Sequence, residues 1–123
     1  MPISTIRRLS LPVANQDVAK AFYVDLLGFE VLGDAPVPMG DNARWIELSG
    51  RAKGASLVLV TWLPTAPGGV QGLMLESSDL DADCDRLREA GHAVQGPNPT
   101  PWGRQASFND PDGNGLVLVE AAA

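Results

Sequence analysis

The sequence predicts an α+β domain assembled from two successive β-α-β-β-β units. Two amphipathic helix patterns each follow one strand-like run and precede three more. Each helix pattern has a capping residue before it and a glycine after it. The chain of 123 residues is one domain's worth, long enough to bury a core.

In the first unit, Ile6 to Val13 is rich in β-formers and breaks at Ala14-Asn15, so it reads as a strand. Asn15 suits an N-cap for a helix running to about Leu27, with Val18, Phe22 and Leu26 on one stripe and Gly28 as the residue after its end. Phe29 to Val31 follows as a strand, then a loop of Pro, Gly, Asp and Asn. Arg44 to Leu48 alternates, and Ser56 to Trp62 is almost continuously apolar, so both read as strands.

The stretch 63–69 holds two prolines and two glycines and reads as a linker. It separates a first module at about 4–62 from a second at about 70–121. Gly72 to Ser77 is the next strand, and Ser78 or Asp79 caps a helix with Leu80, Cys84 and Leu87 on its apolar stripe. Gly91 ends that helix. A short strand at Ala93-Val94, a Pro-rich loop from Pro97 to Pro101, and strands at Arg104–Phe108 and Leu116–Val119 complete the set.

The halves superimpose. Leu9-Ser10-Leu11 matches Leu73-Met74-Leu75 at an offset of 64, Gly28 matches Gly91 at 63, and Leu57 to Val60 matches Leu116 to Val119 at 59. Shrinking offsets mean shorter loops in the second copy.

Composition bounds the function. A net charge of −6 with scattered basic residues argues against a nucleic-acid partner, which needs a clustered basic surface. No apolar run approaches the roughly 20 residues of a membrane span, and the start lacks a signal-peptide core. A lone cysteine, Cys84, offers no internal disulfide, so a cytoplasmic location is expected. Cys84 lies on an apolar stripe and reads as a core thiol. Asp110-Pro111-Asp112-Gly113-Asn114-Gly115 mimics the start of a calcium loop, but Ala121 stands where the closing Glu belongs. It reads as a hairpin turn. No phosphate-binding glycine loop is present, and the sole histidine, His92, supports no Ser/His/Asp set.

Leu11-Pro12-Val13, Ala21 to Phe29 (AFYVDLLGF), Ser78 to Ala82 (SDLDA) and Phe108 to Asn114 (FNDPDGN) resemble, in order, the glyoxalase, bleomycin-resistance and ring-cleaving dioxygenase proteins of the vicinal oxygen chelate superfamily. The resemblance spans the chain. It implies two βαβββ modules forming a cupped eight-stranded funnel with helices outside, and it implies a homodimer. In the metal-dependent members, ligands come from the first and last strands of each module. Those positions fall here on Arg8, Val58, Gly72 and Val117. None supplies a lone pair to a metal, because guanidinium has none, glycine no side chain and valine no donor atom. A slip by one residue would bring only Gln71. A divalent metal is therefore not supported by the ligand positions, and no cofactor is expected.

Strand alternation sends Ile46, Leu48, Ala106 and Phe108 toward the helices, and Trp45, Glu47, Gln105 and Ser107 toward the funnel. With Arg8, Ser10, Val58, Val60, Gly72, Met74 and Val117 they give an apolar floor with few polar groups, which suits a small organic ligand. Arg8 could bind a ligand's carboxylate or phosphate, or pair internally with Glu47. Trp45 is expected in the pocket and Trp62 in core or rim packing. Trp102 could stack on a ligand or pack under the Pro-rich loop. The expected function is metal-free binding of a small aromatic or cationic molecule, of the antibiotic-sequestration type. The alternative is a lyase, isomerase or dioxygenase of the same superfamily using a non-standard site, either an unrecognised metal site or metal-free acid-base chemistry by Glu47 with Arg8. A subunit of a larger complex is the third reading.

Overall fold

A computed structural model of the chain describes residues 2–121. The chain divides into two compact units, one ending at Pro67 and the other beginning at Gly68.

In the first unit the elements are β1 (Arg8–Pro12), α1 (Gln16–Ala21), β2 (Glu30–Pro36), β3 (Arg44–Ser49) and β4 (Ser56–Val60). They form a four-stranded sheet in the order β1-β4-β3-β2, with β1 parallel to β4 and the other pairs antiparallel. The second unit repeats this with β5 (Leu73–Ser77), α2 (Leu80–Glu89), β6 (Gln95–Thr100), β7 (Gly103–Asn109) and β8 (Gly115–Glu120), ordered β5-β8-β7-β6. Each unit is thus a βαβββ module with a mixed sheet. The pairing reproduces the sequence repeat residue by residue: Ser10 faces Val58 as Met74 faces Val117.

Both helices begin as their caps dictate. The Asn15 side chain accepts from the Val18 N–H, and Asp79 rather than Ser78 accepts from the Ala82 N–H. Gly28 and Gly91 adopt φ of 79° and 93°, the left-handed conformation that ends a helix with least strain in glycine. Leu80, Cys84 and Leu87 are buried, as their stripe predicts.

The first helix departs from its predicted stripe. Val18 is half exposed, while Gln16, Ala19, Phe22 and Tyr23 are buried. From Phe22 to Leu26 the helix widens into a π turn, where the Leu27 N–H reaches back to the Phe22 carbonyl. The wider turn rotates the later residues and places Tyr23 against Phe22 and Phe29, at ring-centroid distances of 5.2 and 5.8 Å.

Two edge strands lie where loops were expected. The strand β2 continues through Leu32 to Pro36, and β6 takes in Gly96-Pro97-Asn98-Pro99 instead of a short strand at Ala93-Val94. Both are outermost in their sheets, where a missing proline N–H and a bulge break few ladder bonds. The register shifts at Val31/Gly33 and at Gln95/Asn98 mark those bulges.

Between sheet and helix lies each core. Ile46, Leu48, Leu57 and Leu59 fill the first, and Ala106, Phe108, Leu116 and Leu118 the second, all buried. The turn from Asp110 to Asn114 joins β7 to β8. Asp110 accepts the backbone N–H groups of Asp112 and Asn114, and the Asn114 side-chain oxygen accepts the Val70 N–H. This turn anchors the stretch entering β5, with Gly72 N–H bonded to Gly115 and Gly115 N–H to Val70.

Candidate functional site

The sheet face opposite α1 carries the chemistry of the first unit. The register sets Arg8 beside Ser56, and Ser10 beside Val58, which in turn lies beside Glu47. Side chains of these residues share one face because the sheet alternates. Arg8 and Glu47 approach across β4 and form an ion pair, Nε to Oε1 at 3.0 Å. The internal pair that the sequence offered for Arg8 is formed.

Glu47 is the hub. Its Oε1 also accepts the Trp45 indole N–H at 3.1 Å, and its Oε2 accepts the Ser56 hydroxyl at 2.6 Å. Those donors hold the carboxyl below the ordinary glutamate range, Ser56 most strongly, then Trp45 and Arg8, against an opposing cost of burial. The Arg8 guanidinium carbon sits 6.0 Å from the centroid of the Trp45 ring, within cation–π range. Trp62 stacks on Trp45 with centroids 6.5 Å apart and planes 24° from parallel. Trp62 therefore belongs to this face, beside Trp45, and not only to core or rim packing. The signal for Ser56 was available, since parallel pairing of Ser10 with Val58 puts Ser56 opposite Arg8. Nothing local pointed to the Trp62 contact, which lies beyond the end of β4.

The second sheet presents the equivalent row separately. Met74, Val117 and Ser107 lie side by side across β5, β8 and β7, and Gln105 lies beside Val119. Met74 is exposed, and a Cβ added at Gly72 would meet nothing within 4 Å. Gln105 accepts the Trp102 indole N–H at 3.1 Å. Trp102 itself is 66% exposed, so it does not pack under the Pro-rich segment.

The residues do not fit the family's metal pattern. The side chains of Arg8, Val58 and Val117 offer no lone pair to an ion and Gly72 has no side chain, so only the amide oxygen of the neighbouring Gln71 could donate, and one amide does not make a site. Among the described residues, no three of His, Cys, Asp and Glu are grouped to hold an ion. Cys84 is buried, and desolvation pushes its thiol up, which suits a core residue and not a nucleophile. No helix among the described residues is long and apolar enough to cross a membrane.

This architecture is matched in known proteins. The sequence profile of the Glyoxalase/Bleomycin resistance protein/Dioxygenase superfamily matches residues 5–118, and the chain belongs to that superfamily. TnmS3, an antibiotic binding protein from Streptomyces sp. CB03234, is 49% identical with a TM-score of 0.91, covering 99% of each chain. A glyoxalase/bleomycin resistance protein from the same strain is 48% identical with a TM-score of 0.84, over 94% of this chain and 99% of that one. The uncharacterized protein YetH of Bacillus subtilis (strain 168) is 30% identical over 123 residues, 96% of this chain and 99% of YetH.

Proposed function

We propose that this protein binds and sequesters a small aromatic or cationic molecule, without a metal ion, in the manner of an antibiotic-sequestering protein. The observation that carries this reading is the stacked Trp45–Trp62 pair beside the Arg8–Glu47 ion pair, on the face where metal-dependent relatives hold their ligands. Flat indole surface offers dispersion and π contact to a planar ligand, and the ion pair gives a fixed polar edge. The ligand contacts on the first sheet are Arg8, Ser10, Trp45 and Glu47; Val58, on the same face between Ser10 and Glu47, is fully buried and offers a ligand no surface here. On the second sheet, Gly72, Met74, Gln105, Ser107 and Val117 form a surface of their own. The similarity to TnmS3, named as antibiotic binding, supports the reading. We place the protein in the cytoplasm as a homodimer.

The same geometry counts against Glu47 as a catalytic base. Three donors already occupy its oxygens and hold it ionised at low basicity. The test is thermal melting and tryptophan fluorescence against a panel of small aromatic compounds and antibiotics, with divalent metals and a chelator in parallel. The expected result is a saturable rise in Tm with quenching by a compound recovered unchanged. Chemical conversion of that compound, or a saturable rise with a metal ion at micromolar concentration, would move the protein to the enzyme reading.

A further inference from the structure

An aromatic and a cationic ligand place different demands on this face, and the geometry separates them. A cation would seek the electron-rich indole of Trp45 or the Glu47 carboxylate. Both are already served from within. Arg8 lies over the Trp45 ring and is bonded to Glu47, while Trp45 and Ser56 also donate to that carboxylate. Arg8 is the built-in cation of the site.

What the face offers outward is the opposite charge. The Arg8 side chain is 39% exposed and that of Glu47 12%, so the positive member of the pair is the one a ligand meets. Its closest approach to Glu47 is through Nε. The terminal amino groups form the edge of the guanidinium fork that recognises carboxylates and similar oxygens. The overall charge of −6 attracts cations at long range, but screening limits that effect beyond about 8 Å in physiological salt. At contact the local fork decides.

We infer that the face built from Arg8, Trp45 and Trp62 selects planar aromatic molecules bearing an anionic oxygen group over cationic ones. This rests on the binding function proposed above and narrows its ligand class. The aromatic ring lies on the indole pair and the oxygen group meets the Arg8 edge. Glu47 positions both Arg8 and Trp45, since one oxygen accepts from each.

The experiment is calorimetric titration of the full chain with three probes sharing one ring: naphthoate, naphthylmethanol and naphthylmethyl-trimethylammonium. Naphthoate is expected to bind at least about tenfold more tightly than the ammonium probe, the worth of one charge-assisted contact. The double variant R8Q/E47Q leaves the net charge unchanged, and the amide oxygen it introduces in place of the Glu47 carboxylate can still accept from Trp45. It is expected to weaken binding of naphthoate most, and to bind the three probes with no preference among them. The exposed-loop control R51Q is expected to keep the preference. Tighter binding of the ammonium probe, or a preference that survives in R8Q/E47Q, overturns the inference. Equal binding of all three probes overturns it while leaving the binding function standing. Binding of none of them overturns both.

Discussion

Arg44 and Arg104 occupy equivalent positions in the two units, and each clips the first turn of its helix to a strand of its own sheet. Arg44 bridges Asp17 of α1 to Asp34 of β2, and Arg104 bridges Asp81 of α2 to Glu120 of β8. Asp17 and Asp81 are each the second residue of their helix, where a carboxylate also complements the helix dipole.

The two clips differ in exposure, and exposure sets their worth. The Arg44 and Asp34 side chains are 27% and 21% exposed, those of Arg104 and Glu120 both 40%. Arg44→Ala is expected to destabilise the chain measurably and Arg104→Ala clearly less, because water screens the more open pair. Urea unfolding of the two variants measures the order.

Gln16 staples the first unit. Its amide donates to the carbonyls of Arg44 at 2.6 Å and Leu59 at 2.8 Å, and accepts the Arg44 N–H at 3.1 Å. Gln16→Leu keeps the volume and strands three backbone groups. A loss of about 3 kcal/mol is expected, seen as a lower denaturation midpoint at unchanged slope. A loss below about 1 kcal/mol would mean that water replaces the amide.

Acid sensitivity follows from the depressed carboxylates. Arg44 and then Lys20 hold Asp34 far below its ordinary value, and Glu47, Asp81 and Glu120 are lowered by their own donors. A folded pKa below the unfolded one contributes stability that is fully present above the unfolded pKa and lost as pH falls through the folded one. Stability is therefore expected to hold at neutral pH and to fall progressively below about pH 4.5. Asp34→Asn is expected to be less stable at about pH 7 and to lose less than the parent chain on acidification to about pH 3.

Gly68 has no room for a side chain. Its φ is 88°, and a Cβ there would lie 2.5 Å from the Asp112 carbonyl oxygen. Gly68→Ala is expected to cost more than about 2 kcal/mol, through strain and the clash together. Gly33→Ala, with nothing within 4 Å, is the matched control and is expected to be near neutral.

Trp45→Phe removes the indole N–H donated to Glu47 while keeping a ring. Aromatic ligands are expected to bind about tenfold more weakly, with a stability loss of about 1 kcal/mol or less. Trp62→Phe is expected to weaken binding without raising the pKa of Glu47, which it does not contact through a hydrogen bond. Calorimetry and a pH titration of each variant test the contrast.

Much of this was legible in the residues. Alternation along Trp45-Ile46-Glu47-Leu48 separated the core side chains from the face that holds the ion pair, because strand geometry allows no other division. The repeat offsets fixed which strands are equivalent, and the pairing of Ser10 with Val58 and of Met74 with Val117 agrees. Asn15 and the two terminal glycines marked helix limits, since capping is local chemistry.

The sequence by itself determined the βαβββ repeat, the helix caps, the buried stripe of α2 and the absence of metal-donor atoms at the four family positions. These depend on residue identity and on periods of two or 3.6 residues. Only the tertiary structure decided that Gln16 is buried while Val18 is not, that proline-bearing segments close the sheets as edge strands, and that Arg8 pairs with Glu47 through Nε. It also decided that Trp62 meets Trp45. Each of these is a contact between residues far apart in the chain, whose strength depends on desolvation and on partners that no local pattern encodes.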